Sequence, residues 1–365
     1  MRPLKPNSRG AFVPTPMALR PRRKESPFSK PCQALGHLDR VIKGEPPRIC
    51  IVRSRGGIGD VLMTTPTVKA ISKKYNCKVD YATDFEYLDG ALLKVMTGNP
   101  YVGHIFEHRE LDFRKDDYNA IINLTCPCTS HEKPLAPPVN RIDLFARHAT
   151  IPLEDTSMDF VLSSDELEWA RNYISSQGLS SYKLIMVQPS SSNTRRDAPV
   201  ATMKNALTEI LAHHKDIRAL IITHSSDNTR TEWKFAETHV LQNFDVRQLA
   251  ALMHYCDLVL CPDSAILHVA SAFHKPTVTL FGPTDPRARV NYHPEAVAIW
   301  PGKELHNYPC WYEDPKDGYL CWKRLEPNVI AAACLAVMNK TDLPPSRDLV
   351  TFGQYKTSNE FYEIL

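Results

Sequence analysis

A glycine-rich turn after a short apolar segment is the first feature of the chain that could do chemistry. It runs Arg55-Gly-Gly-Ile-Gly-Asp60 and leads into an apolar helical pattern. Gly57 and Gly59 allow a tight turn and the close approach of a ligand to the backbone. The spacing fits neither the dinucleotide-binding fingerprint nor a P-loop. Asp60 is a candidate general base for a hydroxyl group, and the alternative interpretation is that it only caps the helix.

A second polar cluster follows another apolar segment and runs Cys261-Pro-Asp-Ser-Ala-Ile-Leu-His268. We expect Asp263 and Ser264 to begin a helix whose first amides and dipole favour an anion. His268 then lies near enough to the helix start to bind a phosphate oxygen. The alternative is a capped helix that carries an ordinary histidine.

Two further loops follow predicted strands. Gln188–Arg196 (QPSSSNTRR) offers hydroxyl groups and the guanidinium groups of Arg195 and Arg196, which suit a diphosphate. The alternative for this segment is a solvated loop. Phe281–Pro286 (FGPTDP) predicts only a rigid turn.

Two acidic residues, Asp227 and Glu232, follow the strand that is predicted to end near Thr223. A carboxylate there follows the carboxyl end of the strand, where a ribose could bind. A solvated acid at the start of a helix is the stronger interpretation of either residue.

The ten cysteines are scattered, and several lie inside apolar runs, as Cys50 and Cys261 do. This pattern does not indicate a disulfide framework. It indicates a protein of a reducing compartment. Cys126 and Cys128 form a C-x-C, and Cys310 and Cys321 form a loose pair. Because neither has the paired spacing of a zinc site, we predict no metal.

Strands and helices alternate along the chain. Strands are expected at Arg48–Arg53, Lys78–Ala82, Val102–Phe106, Ala120–Leu124, Lys183–Gln188, 218–224, Leu258–Cys261 and Thr277–Phe281. Helices are expected at 61–74, 85–96, 141–148, 165–177, 200–213, 229–238, 245–255 and 264–273. This pattern predicts two doubly wound halves that meet near residues 150–182. The ligand cleft then lies at the carboxyl ends of the strands, which is where the polar motifs stand.

Length and composition set the broad class. The chain has 365 residues, of which 43% are apolar and 23% charged, enough for two domains with a sizeable core. No apolar run approaches the roughly 18 residues of a membrane-spanning helix, and the N-terminus does not resemble a secretory signal. We therefore predict a cytoplasmic protein. The alternative is a cytoplasmic protein that binds at the periphery of a membrane surface.

Charge is concentrated at the N-terminus. Residues 1–30 hold eight Lys or Arg and one Glu, for a net charge of +7, so the remaining residues carry −4 of the total of +3. Such a Pro-rich basic arm could contact nucleic acid or an anionic surface. A solvated tail is the simpler interpretation.

Taken together, the order and spacing of these motifs resemble glycosyltransferase family 9, the ADP-heptose:lipopolysaccharide heptosyltransferase family, over roughly residues 48–340. The strongest stretch is Asp245–Pro286, which is similar to the family's D-[ST]-G-x-x-H, K-P-T-V and F-G-P-T-D-P segments. Arg55–Pro66 (RGGIGDVLMTTP) resembles the family's G-D-V-x-x-T-x-P turn. The family's K-x-W-P segment is matched loosely by Arg196-Asp197-Ala198-Pro199.

The resemblance implies an α/β protein of the GT-B fold, with two Rossmann-like doubly wound domains facing a central cleft. The domain organisation that follows is a basic Pro-rich arm (1–45), an acceptor-binding domain (46–165), a nucleotide-sugar-binding domain (180–330) and a C-terminal segment that packs back on the N-terminal domain (331–365). It also implies inverting sugar transfer that needs neither a metal nor another cofactor.

Residue roles also follow from the resemblance. Asp60 is expected to be the general base. Asp263, Ser264 and His268 are expected to hold the sugar and the diphosphate. Arg196 stands where the family usually has a phosphate-binding lysine, so the charge is retained but the geometry differs.

Two residues depart from the family pattern: Ala265 and Ser190 stand where the family usually has glycine. The methyl group of Ala265 lies where the donor is expected to pack. The full set of expected donor-binding residues is Gly57, Gly59, Ser190, Arg195, Arg196, Asp263, Ser264, Ala265 and His268, with Asp60 as the catalytic residue and no metal ligand.

The expected partners are a nucleotide-diphosphate-sugar donor and a glycan or lipopolysaccharide-core acceptor. Transfer to a hydroxyl of a modified DNA base, docked by the basic arm, is a second possibility. A non-catalytic nucleotide-sugar-binding protein is a third, although binding alone does not require a base such as Asp60.

Overall fold

The computed structural model describes residues 45–125, 138–223, 233, 235, 237–305, 308–310, 319–353 and 355. Apart from Glu45, the predicted basic arm lies outside the described residues. Two parallel sheets flanked by helices account for most of the rest, which confirms the predicted α/β architecture.

Four parallel strands form the first sheet: β1 Ile49–Arg53, β2 Val79–Thr83, β3 Val102–Glu107 and β4 Ala120–Asn123. They lie in the order β3-β2-β1-β4. All five residues of β1 are buried, as expected for a central parallel strand covered on both faces. The helices of this half are α1 Ile58–Leu62, α2 Thr65–Tyr75, α3 Ala91–Met96, α4 Leu111–Arg114 and α5 Arg141–His148.

Seven strands form the second sheet: β5 Lys183–Val187, β6 Ile217–Thr223, β7 Thr238–Gln242, β8 Leu258–Pro262, β9 Thr277–Leu280, β10 Ala296–Ile299 and β11 Leu349–Thr351. Their order is β11-β10-β9-β8-β5-β6-β7, and only β11 is antiparallel to its neighbour. The remaining helices are α6 Ser164–Ser176, α7 Val200–His213, α8 Val246–His254, α9 Ala265–Ala272, α10 Arg287–Val290, α11 Leu320–Lys323 and α12 Pro327–Asn339.

Two predicted helices differ from the structure, each for a local reason. The predicted helix 61–74 is two helices, α1 and α2, and Pro66 lies in the first turn of α2, where its missing N–H is tolerated. The predicted helix 85–96 is α-helical only from Ala91, after a short 3-10 turn at Tyr87–Gly90. Asp84 Oδ1 accepts hydrogen bonds from two following amides, and this side-chain turn diverts the chain before α3 begins.

The strands β7, β10 and β11 were not predicted. All three lie toward the two ends of the second sheet, and β7 is an edge strand with only one fully buried residue. Its alternating pattern is therefore weak. The predicted helix 229–238 falls mostly outside the described residues, and its last residue, Thr238, begins β7.

The prediction that residues 331–365 pack back on the N-terminal domain is wrong for their described part. Helix α12 packs on α7 and on strands β8–β10, and β11 pairs with β10. Ile330, Ala331 and Cys334 are buried in the core of the second domain. Because this helix face is built of small apolar residues, it fits closely against the second sheet.

The segment that crosses between the domains is anchored on both sides. Buried Lys69 on α2 binds Asp155 Oδ2 at 3.1 Å and Asp159 Oδ1 at 2.9 Å. Arg247 on α8 donates to Glu166 Oε2 at 2.7 Å and to the carbonyl oxygen of Val161 at 2.7 Å. The crossing therefore has one anchor on each domain.

No helix in the described ranges is both long enough and apolar enough to cross a bilayer.

Candidate active site

The turn between β1 and α1 requires glycine at Gly56. Its φ is 126°, and a Cβ there would lie 2.4 Å from Arg53 Nη2 and 2.8 Å from Asp60 Oδ2. Asp60 Oδ2 accepts a hydrogen bond of 2.9 Å from the amide of Gly57, the residue before the helix. Asp60 therefore does cap α1, as the simpler interpretation of the sequence proposed. Its other contacts show that capping is not all it does.

Two guanidinium groups hold the Asp60 carboxylate. Arg53 Nη2 lies 3.2 Å from Oδ2, and Arg141 Nη1 contacts Oδ1. Burial alone would raise the pKa of Asp60, but Arg141 and Arg53 outweigh it and hold the pKa well below its usual range. The carboxylate is therefore ionised at neutral pH, as base catalysis requires. It also binds a proton weakly while both arginines remain in contact.

Neither Arg53 nor Arg141 was singled out from the sequence. Arg53 is the last residue of β1 and is buried, with Nη1 donating to the carbonyl oxygen of Thr125 at 2.6 Å. Arg141 is the first residue of α5, whose start is capped by the side chain of Asn140. The sequence did offer a signal for Arg53, because it is a charged residue at the end of the apolar run RICIVR and a buried charge needs a partner. For Arg141 the sequence offered none.

Asp263 is the counterpart of Asp60 on the second domain. It follows β8, is 1% exposed, and neither carboxylate oxygen accepts a hydrogen bond from a residue that the structure describes. Arg196 Nη1 lies 3.6 Å from Oδ1 and Arg289 Nε lies 3.5 Å from Oδ2. Although burial acts to raise the pKa of Asp263, the charges of Arg289 and Arg196 lower it. Arg289 is a further residue that the sequence reasoning missed.

The start of α9 lies beside this cluster. Ser264 precedes the helix, but its hydroxyl donates to Gln188 Oε1 at 2.5 Å instead of capping the amides of the first turn. Ala265 is the first helical residue, and His268 follows in the first turn. His268 is 4% exposed, and its Nδ1 has no hydrogen-bond partner among the described residues. Burial lowers the pKa of His268 to about 4, so the ring is neutral at pH 7.

Helices α1 and α9 meet at Gly59. A Cβ at this position would lie only 2.2 Å from His268 Cδ2, so the imidazole ring packs directly on the glycine backbone. This contact brings Asp60 of one domain beside His268 of the other. The charges also act across the junction, because Arg289 lowers the pKa of Asp60 and Arg141 lowers that of Asp263.

The loop after β5 contributes Arg196 to this cluster. Arg196 lies in the turn Thr194–Arg196, and its Nη2 donates to Ser192 Oγ at 3.0 Å. The carbonyl oxygen of Arg195 accepts a hydrogen bond of 3.0 Å from Trp322 Nε1. Ser190 is half-buried, three residues beyond β5. Of these three predicted residues, the structure brings Arg196 onto Asp263.

The segment FGPTDP, from which the sequence predicted only a turn, positions Arg289. A Cβ at Gly282 would lie 2.2 Å from the ring of Trp322, so this indole packs directly on the turn. The side chain of Thr284 is buried, and within the described part of the chain its hydroxyl has no hydrogen-bond partner. The segment leads directly into α10, which carries Arg289.

Several predicted features lie outside the described residues: Cys126, Cys128, Asp227 and Glu232. Cys310 and Cys321 are buried in the core of the second domain. Cys50, Cys77, Cys256, Cys261 and Cys334 are free thiols. Among the described residues, no group of three or more His, Cys, Asp or Glu could hold a metal ion.

Comparisons with known proteins agree on one family. Residues 127–319 match the family model of glycosyltransferase family 9 (heptosyltransferase). The lipopolysaccharide core heptosyltransferase OpsX of Haemophilus influenzae is 22% identical over 156 residues. That alignment covers 41% of this chain and 43% of OpsX, so the chain matches less than half the length of this relative.

Solved structures show the same fold. A glycosyltransferase family 9 protein from Veillonella parvula superposes with a TM-score of 0.63 at 17% identity, covering 82% of this chain and 99% of that one. The ADP-heptose lipopolysaccharide heptosyltransferase II of E. coli gives 0.56 at 14% identity, covering 80% and 99%. The predicted GT-B fold is therefore confirmed. Because the family model also matches more than half of its residues, the chain belongs to glycosyltransferase family 9.

Proposed function

We propose that the protein is an inverting heptosyltransferase that moves a sugar from a nucleoside diphosphate donor to a hydroxyl of a lipopolysaccharide core or a related glycan. The observation that carries this proposal is Asp263. Its carboxylate lies buried among arginines, at the carboxyl end of β8, and accepts no hydrogen bond from the residues that the structure describes. Buried polar atoms without hydrogen bonds are rare in folded proteins, and a cluster of them favours a ligand site.

The donor diphosphate fits the side of the cleft formed by the second domain. His268 Nδ1 and Thr284 Oγ1 are also buried, without a hydrogen-bond partner in the described ranges, and both lie on segments that follow strands of this sheet. Arg196 and Arg289 supply positive charge there. The start of α9, which Ser264 does not cap, adds amide donors and a favourable dipole. These groups suit the two phosphates of the donor.

In this proposal Asp60 is the general base of the chemical step. The acceptor hydroxyl attacks the anomeric carbon, the bond from that carbon to the diphosphate oxygen breaks, and Asp60 takes the hydroxyl proton. The sugar passes through an oxocarbenium-like state, and a single displacement inverts the anomeric centre. Guanidinium groups and the start of α9 stabilise the charge that develops on the leaving diphosphate. This proposal requires no metal ion.

The ion pairs of Asp60 set a condition for this chemistry. Arg141 and Arg53 weaken its affinity for a proton, so full base strength requires that at least one of them shift its contact when the substrates bind.

The test is a donor and acceptor panel with the full chain. Thermal shifts with ADP, GDP, UDP and CDP identify the nucleotide, because a ligand at 100 times its dissociation constant stabilises a fold by about 2.7 kcal/mol. Transfer from the matching sugar nucleotides, ADP-heptose included, is then measured with EDTA present. The acceptors are a lipopolysaccharide core that lacks heptose and DNA with hydroxymethylated bases.

We expect an ADP-linked donor and the glycan acceptor. Transfer to DNA would overturn the proposed acceptor. Tight donor binding with neither transfer nor donor hydrolysis would identify a non-catalytic binding protein. Activity that EDTA abolishes and a divalent cation restores would contradict metal independence.

A further inference from the structure

Arg289 is a buried cation of the site that belongs to no recognised motif. It lies on α10, two residues after Arg287, and 4% of its side chain is exposed. Arg287 is 38% exposed, and its guanidinium is bound by Asp285, with Nη2 2.7 Å from Oδ2. The two arginines of this short helix therefore contact different carboxylates. Arg287 binds Asp285 in the turn before the helix, and Arg289 lies beside Asp263.

Asp263 joins two arginines from different parts of the chain. Arg196 comes from the turn after β5, and Arg289 from the helix after β9. One carboxylate oxygen lies 3.6 Å from Arg196 Nη1, and the other lies 3.5 Å from Arg289 Nε. The carboxylate therefore forms an ion pair with both guanidinium groups, one through each oxygen.

A carboxylate and a phosphate repel each other, and the repulsion is strongest where water is excluded. Direct contact between Asp263 and the donor phosphates is therefore unfavourable. An arginine has five N–H donors, so it can bind a carboxylate with one edge and a phosphate with another. The arrangement suits a carboxylate that holds two arginines in place for an anion.

We propose that Arg289 binds the diphosphate of the donor together with Arg196, and that Asp263 is the positioning residue for both. This inference rests on the proposed function, since it takes the ligand to be a nucleoside diphosphate. It changes the role expected for Asp263 from donor ligand to support of the arginines.

The first test compares charge-removing variants at the two arginines of α10. Affinity is measured by calorimetry for the best-binding nucleoside diphosphate of the ADP, GDP, UDP and CDP panel, for its monophosphate and for the nucleoside. We expect Arg289→Gln to weaken binding of the diphosphate roughly 10- to 100-fold and to leave nucleoside binding unchanged, the scale of a lost charge-assisted hydrogen bond. Arg287→Gln is the matched control and should bind the diphosphate within about twofold of the wild type.

A second test uses the sign of the effect at Asp263. Asp263→Asn raises the net charge of the site by one, so simple electrostatics predicts tighter binding of the diphosphate. If Asp263 positions the arginines, the variant binds the diphosphate more weakly despite the added charge. Weakening of the diphosphate but not of the nucleoside is the result we expect. Tighter binding of the diphosphate would overturn the positioning role.

The outcomes separate the two proposals. If no nucleoside diphosphate of the panel binds the wild type, the proposed function fails. If one binds and Arg289→Gln retains its affinity, only the inference about Arg289 is wrong. Circular dichroism checks that each variant is folded. Should Arg289→Gln not fold, Arg289→Met removes the same charge while filling the buried volume, and wild-type affinity in that variant would equally overturn the inference.

Discussion

Replacing Gly59 by alanine tests whether the contact between the two domains positions the catalytic groups. The added Cβ would lie 2.2 Å from His268 Cδ2. Carbon atoms in contact are about 3.5–4.0 Å apart, so the ring or the helices must shift by more than about 1 Å. Shifts of this size in an active site reduce rates by about a hundredfold, and overpacking destabilises folds by about 1–3 kcal/mol. We expect both effects in Gly59→Ala.

The same turn provides a matched control. At Gly57 a Cβ would meet only Asp60 Oδ2, at 4.0 Å, and the φ of −73° suits any residue. Gly57→Ala should therefore lose less than about 1 kcal/mol of unfolding free energy, which makes it the matched control for stability. Unfolding free energies come from urea titrations, and turnover comes from the release of the nucleoside diphosphate.

A double variant isolates the cause. If the imidazole ring is the obstacle, Gly59→Ala should be nearly neutral for stability when His268 is already alanine, a coupling of about 1–3 kcal/mol. Wild-type turnover in Gly59→Ala would show that the contact between Gly59 and His268 does not position the proposed catalytic groups. Equal losses of stability in Gly57→Ala and Gly59→Ala would show that the clash with His268 is not the cause. So would strict additivity of the Gly59 and His268 substitutions.

Three further predictions concern charged groups. Asp60→Asn should lower turnover at least roughly a hundredfold at a temperature where the variant is folded. Glu166→Gln also removes an arginine-paired carboxylate in the first turn of a helix, but it should retain turnover. Equal losses of turnover in the two variants would indicate a structural role for Asp60. Arg247→Ala should destabilise the fold by about 2–4 kcal/mol and by more than Glu166→Gln does, because it also removes hydrogen bonds to the carbonyl groups of Lys94, Thr97 and Val161. Urea titration of both variants decides this. The pKa of His268 is lowered to about 4 by burial, so between pH 6.5 and 4 the unfolded chain binds a proton that the folded chain does not, and stability falls as the pH drops. His268→Gln should therefore remove about 2 kcal/mol of the stability difference between pH 7 and pH 5, as measured by urea titration at the two pH values.

The sequence predicted the parts of the site that are local. Asp60 and Asp263 each follow a predicted strand and stand at or just before the start of a helix, so topology alone brings them to the carboxyl edges of the sheets. His268 and Arg196 were found because their loops share those edges. In each case the relevant signal lies within about eight residues of a strand end.

The missed residues act over long distances along the chain. Arg53 and Arg141 meet at Asp60 although they are 88 positions apart, and Arg289 reaches Asp263 from another strand–helix unit. A guanidinium on a long side chain can approach a carboxylate from many places, so periodicity and spacing do not single it out. These pairings depend on the packing of α5 and α10, which the sequence patterns do not determine.

In the fold, too, local features were predicted and long-range packing was not. The central strands were predicted because continuous apolar runs mark a sheet that is covered on both faces. The edge strand β7 was missed because its residues are only partly buried. The C-terminal segment was assigned to the wrong domain, because an apolar face on α12 shows that a helix is buried but not which sheet buries it.

The two anchors of the crossing segment determine how the domains can move. Lys69 holds the chain up to Asp159, and Arg247 holds it from Val161, so a single residue, Phe160, separates the anchors. One residue spans at most about 3.6 Å, which allows almost no sliding of one domain along the other. Within the described residues the chain crosses between the sheets only here. Opening of the cleft to release a nucleotide should therefore be a swing about this point, in which Arg247 keeps its contacts and the imidazole of His268 leaves the backbone of Gly59.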